Sequence, residues 1–204
     1  MSAATARPGR LQKEYRRQEL IQAAFRRIAE EGFEGLRTRD VAREAGVNIA
    51  TLHYYFPTKE ALIRGVMGHA MGRFRSTLAP HGSSQDQLAN HLRAVRTLMR
   101  NDGELRAVMG ELALRSGRDP ALARILREMN DSWHQTLRAM LRRAVRDGML
   151  AKDFDSDAAA SLIQTTIMSM ALPSIPTARS DQAVKELERW LRQSSKQARI
   201  QSSK

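Results

Sequence analysis

Residues 53 to 56 read His-Tyr-Tyr-Phe, inside the stretch "GVNIATLHYYFPTKEAL" at 46 to 62. An imidazole and two phenols at adjacent positions can donate and accept hydrogen bonds at phosphate oxygens or base edges, while their rings pack on apolar surface. The whole chain has 5 Phe, 2 Trp and 3 Tyr, so this run concentrates a scarce resource. Other chemistries find no starting point. With 0 Cys there can be no disulfide, thiolate metal site or cysteine nucleophile. The five histidines, His53, His69, His81, His91 and His134, include no i, i+4 pair, which argues against a metal. No G-x-S-x-G, Walker loop, G-x-G-x-x-G or H-E-x-x-H occurs, so neither an enzyme nor a cofactor is expected.

The elements that must position these groups read as helices. Apolar residues recur every three or four positions along nearly every long segment, and no run alternates as a strand would. An all-α chain of about nine helices follows. A first helix is expected at about 12 to 31, with Leu20, Ile21, Ala24, Phe25 and Ile28 on one face and Gly32 at its end. Thr38 is placed to cap a short helix carrying Val41, Ala42 and Ala45, and Gly46 supplies a positive φ for the turn. Asn48 caps a second short helix from Ile49 to about Tyr55, which Pro57 stops. Thr58 caps a longer helix reaching about Leu78, and "APHGSSQ" at 79 to 85 is a loop. Five more helices are expected at about 85 to 101, 103 to 116, 119 to 147, 155 to 173 and 180 to 198.

Two short helices around a glycine turn, backed by an apolar first helix, meet the requirements of a helix-turn-helix. On the second of them Leu52 and Phe56 share the inward face. Ile49, Ala50, Thr51, His53, Tyr54 and Tyr55 remain on or near the outer one.

At this point "TRDVAREAGVNIATLHYYFPTKEAL" resembles the DNA-binding signature of TetR-family transcriptional regulators, approximately G-V-S-x-G-T-L-Y-x-Y-F-x-x-K-E-x-L. Gly46, Val47, Thr51, Leu52, Tyr55, Phe56, Lys59, Glu60 and Leu62 coincide with it. Asn48 stands where Ser is usual, Ala50 where Gly is common and His53 where Tyr is typical. The similarity covers about residues 15 to 65, and the length and helical remainder agree with it. It implies that Tyr54 and Tyr55 reach phosphates, that His53 and residues 49 to 51 face bases, and that Phe56 fills the core. It also implies that Thr38 and Lys59 meet phosphates at helix starts. Ordinary amphipathic packing is the competing account of Tyr54 and Tyr55.

Charge agrees with a polyanionic partner without locating it. The 34 Lys and Arg against 22 Asp and Glu leave +12, with +4 in residues 1 to 65 and +8 in the rest. A nonspecific nucleoid or membrane-surface binder is therefore the alternative. Residues 1 to 10 read as a basic arm, and Arg7, Arg10, Lys13, Arg16 and Arg17 could follow a groove or simply be solvated. The N-terminus lacks a signal-peptide core and no segment is apolar enough to span a membrane, so a cytoplasmic protein is expected.

The domains divide as 1–10 arm, 11–65 DNA-binding head and 66–204 helical effector-binding and dimerisation domain. Gly65, Gly68 and Gly72 line one side of the joining helix, as either a close crossing or tolerated small-residue packing. The resemblance implies a rear cavity for a small, largely apolar effector. His91, Met99, Met129, Trp133, Leu137 and Gln164 are its candidates, and a filled core is the competing account. It also implies a homodimer through the last two helices, where Leu162, Ile163, Ile167 and Met170 precede Val184, Leu187 and Leu191. Such a regulator, a repressor or an activator, would grip an inverted-repeat operator in double-stranded DNA with two heads about 34 to 36 Å apart.

Overall fold

The computed structural model describes residues 8–78 and 84–202. Among these there are nine α-helices, two short 3₁₀ turns and no strand. The first helix, α1, runs Pro8–Glu31 and ends at Gly32, whose φ of 70° is costly for any residue with a Cβ. A 3₁₀ turn at Phe33–Gly35 reverses the chain into α2, Thr38–Glu44. Then follow α3, Ile49–Tyr55, and α4, Lys59–Arg75. The rear of the molecule comprises α5 (Ser84–Asn101), α6 (Gly103–Ser116), α7 (Pro120–Arg146), α8 (Ser156–Met168) and α9 (Thr177–Ser202).

Side-chain caps set most of these starts. Asp102 accepts from the Leu105 amide at 2.9 Å, Asp119 from Leu122 at 3.0 Å, and Asp155 from Asp157 and Ala158 at 3.0 Å. Each satisfies an amide that the first helical turn leaves free.

Four boundaries differ from the sequence reading. Pro8, Gly9 and Arg10 belong to α1 and not to an arm, because proline is well suited to a first helical position, where no amide is needed. The remaining arm residues, 1–7 with Arg7, lie outside the described residues, as does His81. Thr38 is the first residue of α2 and not its cap; extended Arg37 holds the cap position, without a side-chain bond. The last two helices change at their junction. α8 tightens into a 3₁₀ turn at Ser169–Ala171, and α9 begins at Thr177, where the Pro176 carbonyl accepts from Arg179 and Ser180.

One apolar core runs through head and rear. In the head, Leu20, Phe25 and Ile28 of α1 meet Val41, Leu52, Phe56, Leu62 and Val66 in a fully buried cluster. It continues into Leu92, Leu105, Met109, Leu137, Ile163 and Val184. α1 packs on α2, α4 and α6; α7 packs on α5, α6 and α8; α9 packs on α5 and α8. Glycine makes two of these approaches close. A Cβ on Gly65 would lie 3.1 Å from both Ile21 and Phe56, and one on Gly110 only 2.3 Å from the Ala171 carbonyl oxygen. Gly68 and Gly72 meet nothing within 4 Å. The close crossing is thus at Gly65 alone, while the other two floor an open groove of about 610 Å³ between α1 and α4.

Candidate DNA-recognition surface and effector cleft

The turn between α2 and α3 is made by backbone geometry that only a few residue types favour. Gly46 has φ of 65°, its amide bonds to the Arg43 carbonyl at 3.1 Å, and the next amide, Val47, reaches back to Ala42 at 2.9 Å. This pattern ties up carbonyls left free at the end of α2. Asn48 then turns the chain into α3. Its Oδ1 accepts from the Thr51 amide at 2.7 Å and from the Thr51 hydroxyl at 2.9 Å. After Phe56, Thr58 starts α4 by accepting from the Ala61 amide at 3.0 Å.

Seven residues make just under two turns, and the periodicity sorts them cleanly. Leu52 is buried with Phe56 behind it, whereas Ile49, Ala50, His53 and Tyr54 are exposed and Thr51 and Tyr55 are half-buried. Tyr54 is 67% exposed. Its ring meets Tyr55 edge-on, with centroids 5.1 Å apart, and Tyr55 packs on the core. Two ion pairs from α1 brace the back of the motif: Arg26 to Glu44 at 2.9 Å and Arg27 to Glu44 at 3.9 Å. A convex helix with an imidazole, a phenol, a hydroxyl and a methyl on its outer side has the dimensions and donors to read a major groove.

Two basic residues take positions that sequence reasoning did not foresee. Lys13, near the start of α1, places its ammonium 5.0 Å from the Tyr54 ring centroid, and so brings positive charge beside α3. Lys59 lies across the Phe33 ring at 4.3 Å, with Arg115 of α6 on the same ring at 5.0 Å. Although the Lys59 residue is largely exposed, loss of water around its ammonium lowers its pKa, and Glu34 partly offsets this. No periodic signal links Phe33 to Lys59 or Arg115. The same joint has a polar contact, since the Phe33 amide donates to Glu111 of α6 at 2.9 Å.

A cleft of about 410 Å³ opens between α4, α5 and α7. Met67, Met71, Phe74, Ile125, Met129 and Trp133 supply most of its wall, and Arg64, Arg75 and Glu128 stand among its polar residues. Of the six residues named from sequence, His91, Met129 and Trp133 line it. Met99 and Leu137 are buried in the core instead, and the Gln164 amide donates to the Asn130 carbonyl at 2.9 Å. Arg64 bonds to Glu128 at 2.9 Å and to Glu60 at 3.3 Å, joining α4 to α7 beside the cleft.

The residues named for a dimer face divide in a similar way. Ile163, Ile167, Met170, Val184, Leu187 and Leu191 are buried within this one chain and so have little surface to offer a partner. Leu162 is 47% exposed on α8, and Trp190 is 39% exposed on α9. Among the described residues no three His, Asp or Glu side chains gather to hold a metal ion, and no helix is long and apolar enough to cross a membrane.

Known proteins supply the family. Residues 20–66 match the model for bacterial regulatory proteins of the tetR family, and residues 78–189, more than half the chain, match the tetracyclin repressor-like C-terminal domain. The chain belongs to the TetR family. TetR-family membership makes it a DNA-binding transcriptional regulator. It is 26% identical over 160 residues to the fatty acid metabolism regulator protein of Bacillus subtilis (strain 168), covering 76% of this chain and 81% of that one. To the HTH-type transcriptional regulator PksA of the same organism it is 37% identical over 60 residues, only 29% of each chain. Among solved structures, Salmonella enterica GusR superposes with a TM-score of 0.73 at 23% identity, covering 95% of this TetR-family chain and 100% of GusR.

Proposed function

We propose that this TetR-family protein works in the cytoplasm as a homodimeric repressor, bound to an inverted-repeat operator and released when a small, largely apolar molecule enters the α4–α5–α7 cleft. In this reading Ile49, Ala50, Thr51 and His53 face bases. Asn48 fixes the start of the reading helix, and Thr38, Tyr54, Tyr55 and Lys59 hold phosphates. Residues 11–65 act as the head and 66–204 as the sensing and pairing body, with 1–10 preceding them. That division separates roles along a continuous helix, because α4 runs unbroken from Lys59 to Arg75. The reading assigns no catalytic step, in keeping with relatives that are regulators.

One observation carries the proposal. α4 lines the cleft with Met67, Met71 and Phe74, and the same helix presses Gly65 against Phe56, the residue that closes α3. A ligand that shifts α4 thereby moves the end of the recognition helix. The coupling required is on the order of 1 to 3 kcal/mol. For the dimer face, the exposed Leu162 and Trp190 replace the buried residues named from sequence.

The deciding experiment is footprinting on the DNA flanking the coding region, followed by competition with a scrambled duplex. A specific reader prefers its operator by ~10³-fold or more. Nearly equal affinity for both duplexes would instead support the nonspecific polyanion binder. Sedimentation of a Leu162→Asp, Trp190→Asp double variant tests the dimer face, the expected result being a monomer that keeps its helical content.

A further inference from the structure

The cleft holds two nitrogens whose hydrogen-bonding needs the protein leaves open, and their roles are opposite. His91 is 1% exposed and Trp133 is 9% exposed; His91 Nε2 and Trp133 Nε1 are both shut off from solvent, and among the described residues neither has a hydrogen-bond partner. Both side chains line the cleft. Leaving buried polar atoms unpaired costs free energy that a bound partner would recover.

The protonation of His91 follows from its neighbour. The Thr77 hydroxyl has one hydrogen, and it goes to the Phe74 carbonyl at 2.6 Å. Its oxygen therefore acts as acceptor toward His91 Nδ1, 2.8 Å away. Nδ1 carries the hydrogen, which leaves Nε2 of the neutral ring as a bare lone pair. Burial keeps the ring neutral by lowering its pKa. Trp133 Nε1 can only donate. The cleft thus presents one acceptor and one donor against an apolar wall, where the Phe74 and Trp133 rings lie tilted by 31° with centroids 6.0 Å apart and Met67, Met71 and Met129 add polarisable surface.

We propose that the ligand of this cleft is an uncharged, largely apolar molecule carrying a hydroxyl, an alcohol or a phenol, that donates to His91 Nε2 and accepts from Trp133 Nε1. This rests on the effector reading above and specifies its chemistry. A carboxylate has no hydrogen to give Nε2 and would face its lone pair. The arginines offer it less than their number suggests, because Arg64 is already engaged by Glu128 and Glu60, which leaves Arg75.

The test is calorimetric titration of the full-length protein with matched triplets: 2-naphthol, 2-methoxynaphthalene and 2-naphthoate, then 1-decanol, its methyl ether and decanoate. The alcohol or phenol of at least one skeleton is expected to bind about tenfold or more tighter than its ether and its carboxylate. His91→Phe and Trp133→Phe should each erase that preference while the ether still binds. Retained helical content and dimerisation in each variant exclude misfolding. Equal binding of hydroxyl and ether, or tighter binding of the carboxylate, overturns the proposal and leaves the effector reading standing. If no member of either series binds, the effector reading of the cleft loses its support and this proposal falls with it.

Discussion

Replacing Lys59 by methionine separates two roles that one side chain cannot fill at once. In the free protein its ammonium lies 4.3 Å from the Phe33 ring centroid, whereas a phosphate contact requires it to turn toward DNA. Methionine keeps an apolar stem over the ring and removes the charge. Each phosphate neutralised contributes about 0.9 to the slope of log affinity against log salt, so one Lys59 in each half-site of a dimer contributes about 1.8. Between 50 and 200 mM salt the wild-type protein should therefore lose about twelvefold more affinity than the variant. Fluorescence anisotropy of a labelled operator at several salt concentrations reads this directly, and Lys59→Arg should retain the wild-type slope. The lost cation–π contact costs about 0.5 to 1 kcal/mol at an exposed site, which a modest fall in Tm would register. An unchanged slope accompanied by that fall refutes the phosphate assignment and places Lys59 in the joint between α4, α6 and the Phe33 turn.

Four further outcomes are expected. Tyr54→Phe removes a hydroxyl from each half-site at about 0.5 to 1.5 kcal/mol apiece, so affinity falls for every sequence with no change in salt slope. His53→Ala instead changes preference at one base position per half-site, and equal losses on all singly varied operators for both variants would refute this division. Gly110→Ala sets a Cβ 2.3 Å from the Ala171 oxygen, a backbone clash costing roughly 1 to 3 kcal/mol; calorimetry showing an unchanged Tm would rule out so tight a crossing. Burial lowers the pKa of His91, and burial together with Arg73 lowers that of His69, despite Asp102 nearby. The unfolded chain then binds protons that the native one refuses. Denaturant unfolding should show stability level above about pH 7 and declining as pH drops below about 6.5, and a flat profile down to pH 5.5 would contradict it.

Local chemistry was readable wherever one residue decides a backbone conformation. Gly46, Asn48 and Thr58 bracket α3 as their types require, and α6 runs from Gly103 to Ser116 between the Asp102 cap and Gly117. The same logic misplaced the starts of α1 and α9. Proline signals a helix start as well as a break, and only surrounding contacts choose between them. The rear stripes were legible as stripes, but an i, i+3, i+4 pattern on α7 or α8 does not say whether it faces a core, a cleft or a partner. Trp133 and Met129 face a cleft, Leu137 faces the core, and α8 uses Ile163 and Ile167 within its own chain. The joint at Phe33 was the least legible, because Glu111 stands 78 positions from the amide it accepts from.

The contact between α4 and α7 has a strength better suited to a switch. Head and body share a continuous apolar core, and repacking residues such as Phe25, Leu62 or Val66 would cost more than a ligand can supply. The polar contacts at its edge are weaker. Arg64 to Glu128 and Arg124 to Glu60 are surface pairs between α4 and α7, open to water and therefore individually weak. Under the proposed mechanism, a ligand entering the cleft would exchange such pairs and leave the core intact. A Glu128→Gln variant should accordingly shift the effector concentration needed for release while changing Tm little. If Tm fell with no shift in that concentration, the pair would be a structural brace, and transmission would have to run instead through α6 and Glu111.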